Sequence, residues 1–154
     1  MNIKVEALTR EGFAPYGQVI SRERILPVDD GSEFSFELTS EGVEVGKSVC
    51  TGMLACKARP MVITRMEAHK NSSEVLVALR GNMILAVAAP DRFGKVKAFA
   101  FNEGDAVAMK VGTWHWIPYP VGKENSLVMV LFADKTGDDD LHIRKLDESV
   151  VIEL

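Results

Sequence analysis

Three side chains that bind metals or transfer protons fall within eight residues, at Glu67, His69 and Glu74. Alternate side chains of a β-strand share a face, so Glu67 and His69 point the same way if this segment is a strand. The polar residues 70–73 are short enough to form a turn, and an apolar segment that begins at Glu74 follows them. The spacing therefore predicts that the three side chains meet where two neighbouring strands join.

A second histidine of this kind, His115, lies between Trp114 and Trp116 in a short strand-like segment. The two tryptophans would point away from the face of His115, to pack inside the protein or at a dimer interface. Closure of these strands into one sheet would bring His115 to the same depth as the first group. The candidate catalytic and metal-binding residues are therefore Glu67, His69, Glu74 and His115.

These residue types allow two kinds of chemistry. Imidazole nitrogens and carboxylate oxygens around an open position suit Zn, Mn, Fe or Ni, and the ligand types alone do not choose among these metals. The alternative is catalysis without a metal, in which His69 or His115 acts as a general base, because imidazole titrates near neutral pH. A third interpretation is purely structural, since a single histidine on a strand commonly serves as a hydrogen-bonding residue.

The elements that must position these side chains are predominantly β. Short apolar or alternating segments, separated by turns rich in Gly, Asn and Pro, predict strands at 49–56, 61–68, 75–79, 83–89, 96–101, 106–111 and 126–133. Many short strands at this spacing are typical of an all-β sandwich or barrel. We therefore predict one all-β domain over residues 1–154, whose barrel is built from strands between residues 43 and 133.

The two ends of the chain carry weaker signals. A strand at 3–7 is followed by a helix at 10–13, which Thr9 caps and Pro15 ends, and we predict that this segment packs on the outside of the barrel. Residues 21–42 are polar and receive no firm assignment, although 34–38 alternates like a half-buried strand.

The C-terminal part predicts a compact acidic loop at 137–140 and a last edge strand at 149–154. His142 lies in a charged stretch and is predicted to be exposed.

The composition excludes several classes of partner. The chain has 154 residues, a hydrophobic fraction of 47% and a net charge of -4, which is ordinary for a globular protein. No basic stripe is present, which argues against nucleic-acid binding. The apolar runs are far shorter than the roughly 20 residues of a membrane helix, and the first residues lack the apolar core of a signal peptide. We therefore predict a cytoplasmic protein that binds neither nucleic acid nor a membrane.

The spacing of the candidate residues resembles the two motifs of the cupin superfamily. His69-x4-Glu74-x6-Gly81 matches the end of the first motif. Residues 104–115 match the second motif, except that Lys110 stands where cupins have Pro. The resemblance implies a cupin-like barrel, which is a double-stranded β-helix or jelly roll, with a metal site in its mouth.

A more distinctive resemblance is to the ureidoglycolate lyase family of cupins. The run Phe13-x-x-Tyr16-Gly17-x-Val-Ile looks like the opening of that family, and the similarity covers most of the chain, thinly between residues 21 and 60. It continues through Glu67-x-His69, Gly81, Gly104, Trp114-His115 and Phe132-x-Asp134. The resemblance implies a barrel, usually dimeric, that splits ureidoglycolate into glyoxylate and urea in purine and allantoin catabolism.

That activity requires particular groups. A proton must leave the carbinol hydroxyl and another must reach the departing urea nitrogen, and a divalent metal held by His and carboxylate would polarise the hydroxyl. The carboxylate of the small-molecule substrate needs a cation, for which Arg65 and Lys110 are the candidates. The alternative for Arg65 and Lys110 is a charge at the solvated rim.

Two other functions fit the same pattern. One is a different metal-dependent cupin enzyme that acts on a small acid or sugar, and the other is a non-catalytic cupin that binds a ligand. Whichever applies, residues 150–154 are predicted to pair with a second copy in a homodimer, because an edge strand needs covering.

Overall fold

The computed structural model describes residues 1–21, 31 and 33–154, and this part of the chain is almost entirely β. Two helices of four residues are present, α1 (Arg10–Phe13) and α2 (Thr136–Asp139). None of the helices in these residues has the length and apolar character needed to cross a bilayer. The strands are β1 (Asn2–Glu6), β2 (Gly17–Val19), β3 (Val49–Cys56), β4 (Val62–Ala68), β5 (Glu74–Arg80), β6 (Met83–Ala88), β7 (Lys97–Phe101), β8 (Ala106–Met109), β9 (Trp114–His115), β10 (Tyr119–Pro120), β11 (Ser126–Ala133) and β12 (His142–Glu153).

The strands form two sheets, and the larger one closes on itself. Its order is β10-β6-β7-β1-β12-β4-β9, and the additional pairing of β9 with β6 completes a ring. The smaller sheet has the order β2-β8-β5-β11-β3. Closure removes the free edges that an open sheet would present, because β9 is hydrogen-bonded on both sides. The prediction of an all-β, barrel-like fold with a short N-terminal helix is confirmed.

Two apolar cores follow from this arrangement. The first lies between the sheets and includes Phe13, Leu76, Leu85, Phe99 and Val128. The second gathers side chains from the strands of the larger sheet, among them Ile63, Met66, Ile84, Tyr119 and Ile152. The strand β6 is buried along its whole length because its alternate residues serve the two cores in turn.

The predicted strands of the middle of the chain are all present, with ends shifted by one or two residues. Those at 49–56 and 126–133 are found at the predicted bounds. The helix α1 also has its predicted cap, since the Thr9 hydroxyl accepts a hydrogen bond from the Gly12 N–H at 3.0 Å. Turn residues and side-chain alternation are sufficient here because each strand is short and most are bounded by turns that contain glycine, proline or asparagine.

The N-terminal segment does not pack on the outside, and that prediction is wrong. β1 lies between β7 and β12 with parallel pairing on both sides, and β2 pairs with β8 in the smaller sheet. Phe13 is fully buried, and Tyr16 is nearly so, in the core between the sheets. The segment therefore completes both sheets, and the aromatic pair is part of the main core.

Three further predictions are corrected by the structure. Residues 34–38 form no strand, and Phe34, Phe36 and Leu38 are exposed; the polar residues between them are the partly covered ones. The stretch at 137–140 is mostly the helix α2. Of the polar segment 21–42, residues 22–30 and 32 lie outside the part that the structure describes.

The C-terminal strand is not an edge strand. β12 runs from His142 to Glu153 and lies between β1 and β4, so both sides of residues 150–152 are already hydrogen-bonded. A second copy cannot pair with it without displacing one of these neighbours. The prediction that a dimer forms through residues 150–154 is therefore wrong about the interface.

Gly17 occupies a position where the chain leaves no room for a side chain. A Cβ atom there would lie 2.0 Å from the backbone oxygen of Ala108 on β8. We expect Gly17→Ala to lower the free energy of unfolding by about 3 kcal/mol, because β2 must move away from β8. Urea unfolding measures this, with Gly42→Ala as the control, since no atom of the described residues lies within 4 Å of a Cβ at Gly42. Equal urea midpoints for Gly17→Ala and wild type would contradict the packing described here.

Candidate functional site

The four candidate residues meet where β4, β5 and β9 approach each other. Glu67 of β4 and His115 of β9 are directly opposite each other in the antiparallel ladder. The His115 Nε2 atom lies 3.5 Å from Glu67 Oε1 and 3.5 Å from Glu74 Oε1. His69 Nε2 lies 2.9 Å from Glu74 Oε2, and the two imidazole rings are 5.2 Å apart between centroids. The convergence predicted from residue spacing is what the structure contains.

Three of the four residues, all except His115, lie at one wall of a cavity of about 340 Å³. Glu67, His69 and Glu74 provide its polar groups. The remaining wall is mainly apolar and consists of Gly52, Met53, Leu54, Ile117, Val130, Phe132, Thr136 and Gly137. A cavity of this size accommodates a small molecule, and apolar walls around a few polar groups are typical of such sites.

The ring orientation of His69 is fixed by Asp140, which follows α2 and precedes β12. Its Nδ1 atom lies 3.0 Å from the backbone oxygen of Asp140. A carbonyl can only accept, so Nδ1 carries the hydrogen and donates it. The Asp140 carboxylate accepts hydrogen bonds from the backbone N–H groups of Lys70 and Asn71, at 2.8 and 2.9 Å. Asp140 therefore holds both the imidazole and the turn that follows it.

His115 is held in the same way by its own strand. Its Nδ1 atom donates to the backbone oxygen of Thr113 at 3.0 Å. The Thr113 hydroxyl donates in turn to the backbone oxygen of Tyr16 at 2.8 Å. This chain of bonds connects the N-terminal Tyr16-Gly17 motif with the orientation of a site histidine.

The residues present fit a bound metal ion. With both Nδ1 atoms donating to carbonyls, each Nε2 of a neutral ring keeps a lone pair that is free to bind a metal. Both Nε2 atoms are buried, and neither has an aligned hydrogen bond among the described residues. The 2.9 Å contact of His69 with Glu74 is therefore a charge contact that lies off the N–H direction. One ligand atom each from Glu67, His69 and His115 falls within 4.8 Å of the others.

Without a metal, the short contacts favour opposite charges on His69 and Glu74. Burial opposes the charged imidazole, but the Glu74 contact, the Asp140 carbonyl and the charges of Glu74 and Glu67 raise the pKa of His69 to about 9. Burial likewise opposes ionisation of Glu74, yet the neighbouring His69 and His115 lower the pKa of its carboxyl. A divalent cation at this place would substitute for the extra proton on His69.

Asp140 is a site residue that sequence reasoning misses. The sequence places it in a compact acidic loop, whereas the structure buries it, and burial alone would raise the pKa of its carboxyl. The N–H groups of Asn71 and Lys70, with smaller effects of His69 and His142, outweigh burial and lower that pKa. His142 also lies 3.2 Å from its Oδ1 atom. Three similar aspartates precede β12, so composition gives no signal to single out the last one.

We expect Asp140→Ala to reduce kcat/KM by roughly 10–100-fold, because the change releases the turn that orients His69, a candidate metal ligand. The backbone carbonyl remains, but the N–H groups of Lys70 and Asn71 lose their acceptor and the turn is released. His142→Gln is the matched control, since it contacts the same carboxylate from the partly exposed side. Asp140→Ala with wild-type kinetics would show that the turn does not position His69.

The structure does not bring Arg65 or Lys110 to this cavity. Arg65 lines a separate cavity beside Trp116, and Lys110 lines another beside Gly17 and Ser73. Among the described residues, no Lys or Arg lines the cavity of His69. A role for Arg65 or Lys110 in binding the substrate carboxylate stays a prediction that this geometry does not support.

The chain is similar to known proteins over almost its whole length. A family model described as ureidoglycolate lyase matches residues 1–153. The ureidoglycolate lyase of Pseudomonas fluorescens strain Pf0-1 is 27% identical over 160 residues, covering 97% of this chain and 96% of that protein. The ureidoglycolate lyase of Chelativorans sp. strain BNC1 is 28% identical over 146 residues, covering 88% and 86%.

Among solved structures, the chain is similar to oxalate decarboxylase from Bacillus subtilis, which has Mn(II) centres. The TM-score is 0.47 at 20% sequence identity, and the match covers 65% of this chain and 24% of that one.

Proposed function

The chain belongs to the ureidoglycolate lyase family, and from this premise we propose that it cleaves ureidoglycolate to glyoxylate and urea at the site of His69, Glu74 and His115. The observation that carries the proposal is the pair of buried histidines. Both use Nδ1 to donate to a backbone carbonyl and place Nε2 close to a carboxylate, which is Glu74 for His69 and both Glu67 and Glu74 for His115. Purely structural histidines would have no need of two partly buried carboxylates at their other nitrogens.

The reaction moves one proton and breaks one bond. The hydroxyl of the substrate loses its proton, its oxygen forms the carbonyl of glyoxylate, and the bond from carbon to urea nitrogen breaks. The electron pair of that bond goes to the nitrogen, which takes up a proton and leaves as urea. The protein must therefore supply a group that accepts a proton and returns it to the nitrogen.

We further propose that His69, Glu74 and His115 bind one divalent metal, with Glu67 as the fourth ligand. Such an ion, when bound, would supply positive charge that lowers the pKa of the substrate hydroxyl and attracts the substrate carboxylate. Zn, Mn, Fe and Ni all accept this mixture of imidazole and carboxylate. Because the described cavity wall offers no Lys or Arg, the ion would also provide the cation that the substrate requires.

Glu67 is the residue best placed to carry the proton. With 21% of its side chain accessible, it is the most exposed member of the group and faces the cavity. A carboxylate can use one oxygen as a ligand and the other as a proton acceptor. Asp140 and Thr113 serve a different purpose, since their backbone oxygens hold the imidazoles of His69 and His115 in place. The apolar wall around Ile117 and Phe132 limits access of water to the reacting bond.

Product analysis of the purified protein tests the proposed reaction. We expect the wild-type protein to convert ureidoglycolate to glyoxylate and urea in equal amounts. We expect no such activity from His69→Ala. Glyoxylate accompanied by ammonia in place of urea would mean that a different bond is hydrolysed. Absence of any product, from protein loaded in turn with Zn, Mn, Fe and Ni, would remove the proposed function.

We also propose a homodimer, now through β3 and not through the C-terminus. β3 is the last strand of the smaller sheet, pairs only with β11 among the described residues, and leaves Val49 and Met53 exposed. A long edge strand with exposed apolar residues is a favourable surface for pairing with a second copy.

We expect light scattering of the wild type at micromolar concentration to give the mass of a dimer, and that of Met53→Arg to give the mass of a monomer. A monomeric wild type at that concentration would refute the dimer.

A further inference from the structure

A second cavity, of about 560 Å³, lies where β12 separates from β4. Lys145 pairs with Arg65 and Val150 pairs with Ile63, so residues 146–149 of β12 stand opposite the single residue Thr64. The bulge bends β12 outwards, and its side chains Leu146 and Ser149 form part of the cavity wall. None of the residues around this cavity lines the cavity of His69.

Three positive charges converge on this second cavity, from Arg59, Arg65 and Lys145. Arg65 and Lys145 are direct partners across the antiparallel ladder, an unfavourable arrangement for like charges. Within the described ranges, none of the three forms an ion pair with a carboxylate. The acidic residues of the bulge, Asp147 and Glu148, form no ion pair with any of the three in this part of the chain.

The two arginines are held in place by aromatic rings and carbonyls. The Arg59 guanidinium lies 3.9 Å from the centre of the Tyr119 ring and donates to the backbone oxygens of residues 57, 117 and 118. The Arg65 guanidinium lies 4.8 Å from the centre of the Trp116 ring. The side chains of Arg65 and Lys145 have no hydrogen-bond partner in the part of the chain described. Their N–H groups are therefore available to a ligand, and Arg59 adds a fixed charge behind them.

We propose that this cavity is a second ligand site, which binds a small organic anion through an oxyanion group held by Arg65 and Lys145. Carboxylate and phosphate share the required chemistry, because both accept the forked hydrogen bonds of an arginine. The anion would neutralise the like charges that the β-ladder places side by side. Trp116 and Leu146 provide apolar surface for the rest of the ligand, and the cavity volume is in the range of small-molecule sites.

Titration of the metal-free protein with inorganic phosphate and, separately, with malonate tests this site. The indole N–H resonance of Trp116, assigned with Trp116→Phe, reports binding beside Arg65. We expect saturable binding of at least one anion, weakened about tenfold or more in Arg65→Gln and in Lys145→Gln. The anion that binds more tightly distinguishes a phosphate ligand from a carboxylate ligand.

Two controls separate binding at this site from a general effect of net charge and from binding in the first cavity. Lys123→Gln removes a positive charge from an exposed loop and should leave the affinity unchanged, as should His69→Gln in the other cavity. An equal loss of anion affinity in Lys123→Gln would show that only the net charge of the protein matters. A loss of affinity in His69→Gln would show that the anion binds in the first cavity. Either result, or no saturation at tens of millimolar of both anions, overturns the proposal. None of these outcomes depends on whether the protein cleaves ureidoglycolate.

Discussion

Glu74→Gln is expected to lose its bound metal and to reduce kcat/KM by roughly a thousandfold. Glu74 contacts both imidazoles, at 2.9 Å from His69 and 3.5 Å from His115, and it is the most enclosed carboxylate of the group. An amide at this position keeps the shape of the side chain but removes the negative charge that a divalent cation requires. Metal stoichiometry by mass spectrometry, with glyoxylate release measured on the same samples, checks both expectations.

The control for this substitution is Glu124→Gln, which removes a carboxylate from an exposed loop. It should leave metal content and activity at wild-type values. Glu74→Gln that retains one metal per chain with full activity would exclude Glu74 as a ligand. Equal metal contents of zero in wild type and variant would instead favour a reaction that uses the histidines alone.

The same substitution has a readout that needs neither metal nor substrate. In metal-free wild type, Glu74 contributes to holding the pKa of His69 at about 9, above its ordinary value of 6.5. Its folded-state pKa is raised, so His69 stabilises the fold fully below pH 6.5, and this contribution is lost as pH rises towards 9. In Glu74→Gln the decline should move to lower pH and become smaller, which titration of the imidazole resonance and urea unfolding both detect.

His115→Gln is expected to cost a comparable factor of roughly a thousand in kcat/KM and to weaken metal retention. His115 approaches both Glu67 and Glu74, so no other described imidazole can replace it between the two carboxylates.

Thr113→Val distinguishes the role of His115 as a metal ligand from the effect of its ring orientation. It removes the hydroxyl bond to Tyr16 but keeps the backbone oxygen that accepts from His115 Nδ1, and should cost about tenfold or less.

The assignment of His115 as a metal ligand requires that His115→Gln lose much more activity than Thr113→Val. If Thr113→Val and His115→Gln lose activity to the same extent while both remain folded, the imidazole acts only through its placement. If His115→Gln keeps wild-type metal content, His115 is not a ligand, whatever its effect on the rate.

The strands and the converging side chains are predictable from the sequence because both depend on local signals. Alternation places Glu67 and His69 on one face, the polar turn brings Glu74 back, and a short strand carries His115. The structure joins these segments through one ladder pair, Glu67 with His115. Each step needs only the two-residue period of a strand and a turn of limited length.

The wrong predictions concern contacts between residues distant in sequence. Burial of Asp140 depends on the N–H groups of Lys70 and Asn71, and nothing near position 140 indicates that partnership. The interior place of β12 likewise depends on β1, whose parallel pairing joins opposite ends of the chain. The segment 34–38 fails in another way. Its apolar and polar residues do alternate, but the apolar side chains are exposed and the segment forms no strand.

The N-terminal motif has a recognisable pattern whose physical role only the structure explains. Tyr16 is buried in the main core, and its backbone oxygen accepts the Thr113 hydroxyl that lies next to the His115 strand. Gly17 is required because the backbone of Ala108 occupies the space of a side chain. The motif thus belongs to the support of the site, although it contributes no group to the cavity.

The metal-free alternative makes a distinct chemical demand. With the pKa of His69 raised to about 9, its imidazole is protonated at neutral pH and would donate a proton to the leaving nitrogen. Glu67 or His115 would then have to remove the hydroxyl proton without help from a cation. Such a reaction would proceed at full rate after all divalent ions had been removed.

Metal dependence of catalysis is therefore the measurement that tests this account most directly. The purified protein is stripped with a chelator, reloaded in steps with each of Zn, Mn, Fe and Ni, and assayed for glyoxylate and urea at every step. The account predicts that activity is absent from stripped protein and rises in proportion to bound metal until one ion per chain is present. Full activity in the stripped protein, or failure to bind any of the four ions, would contradict it.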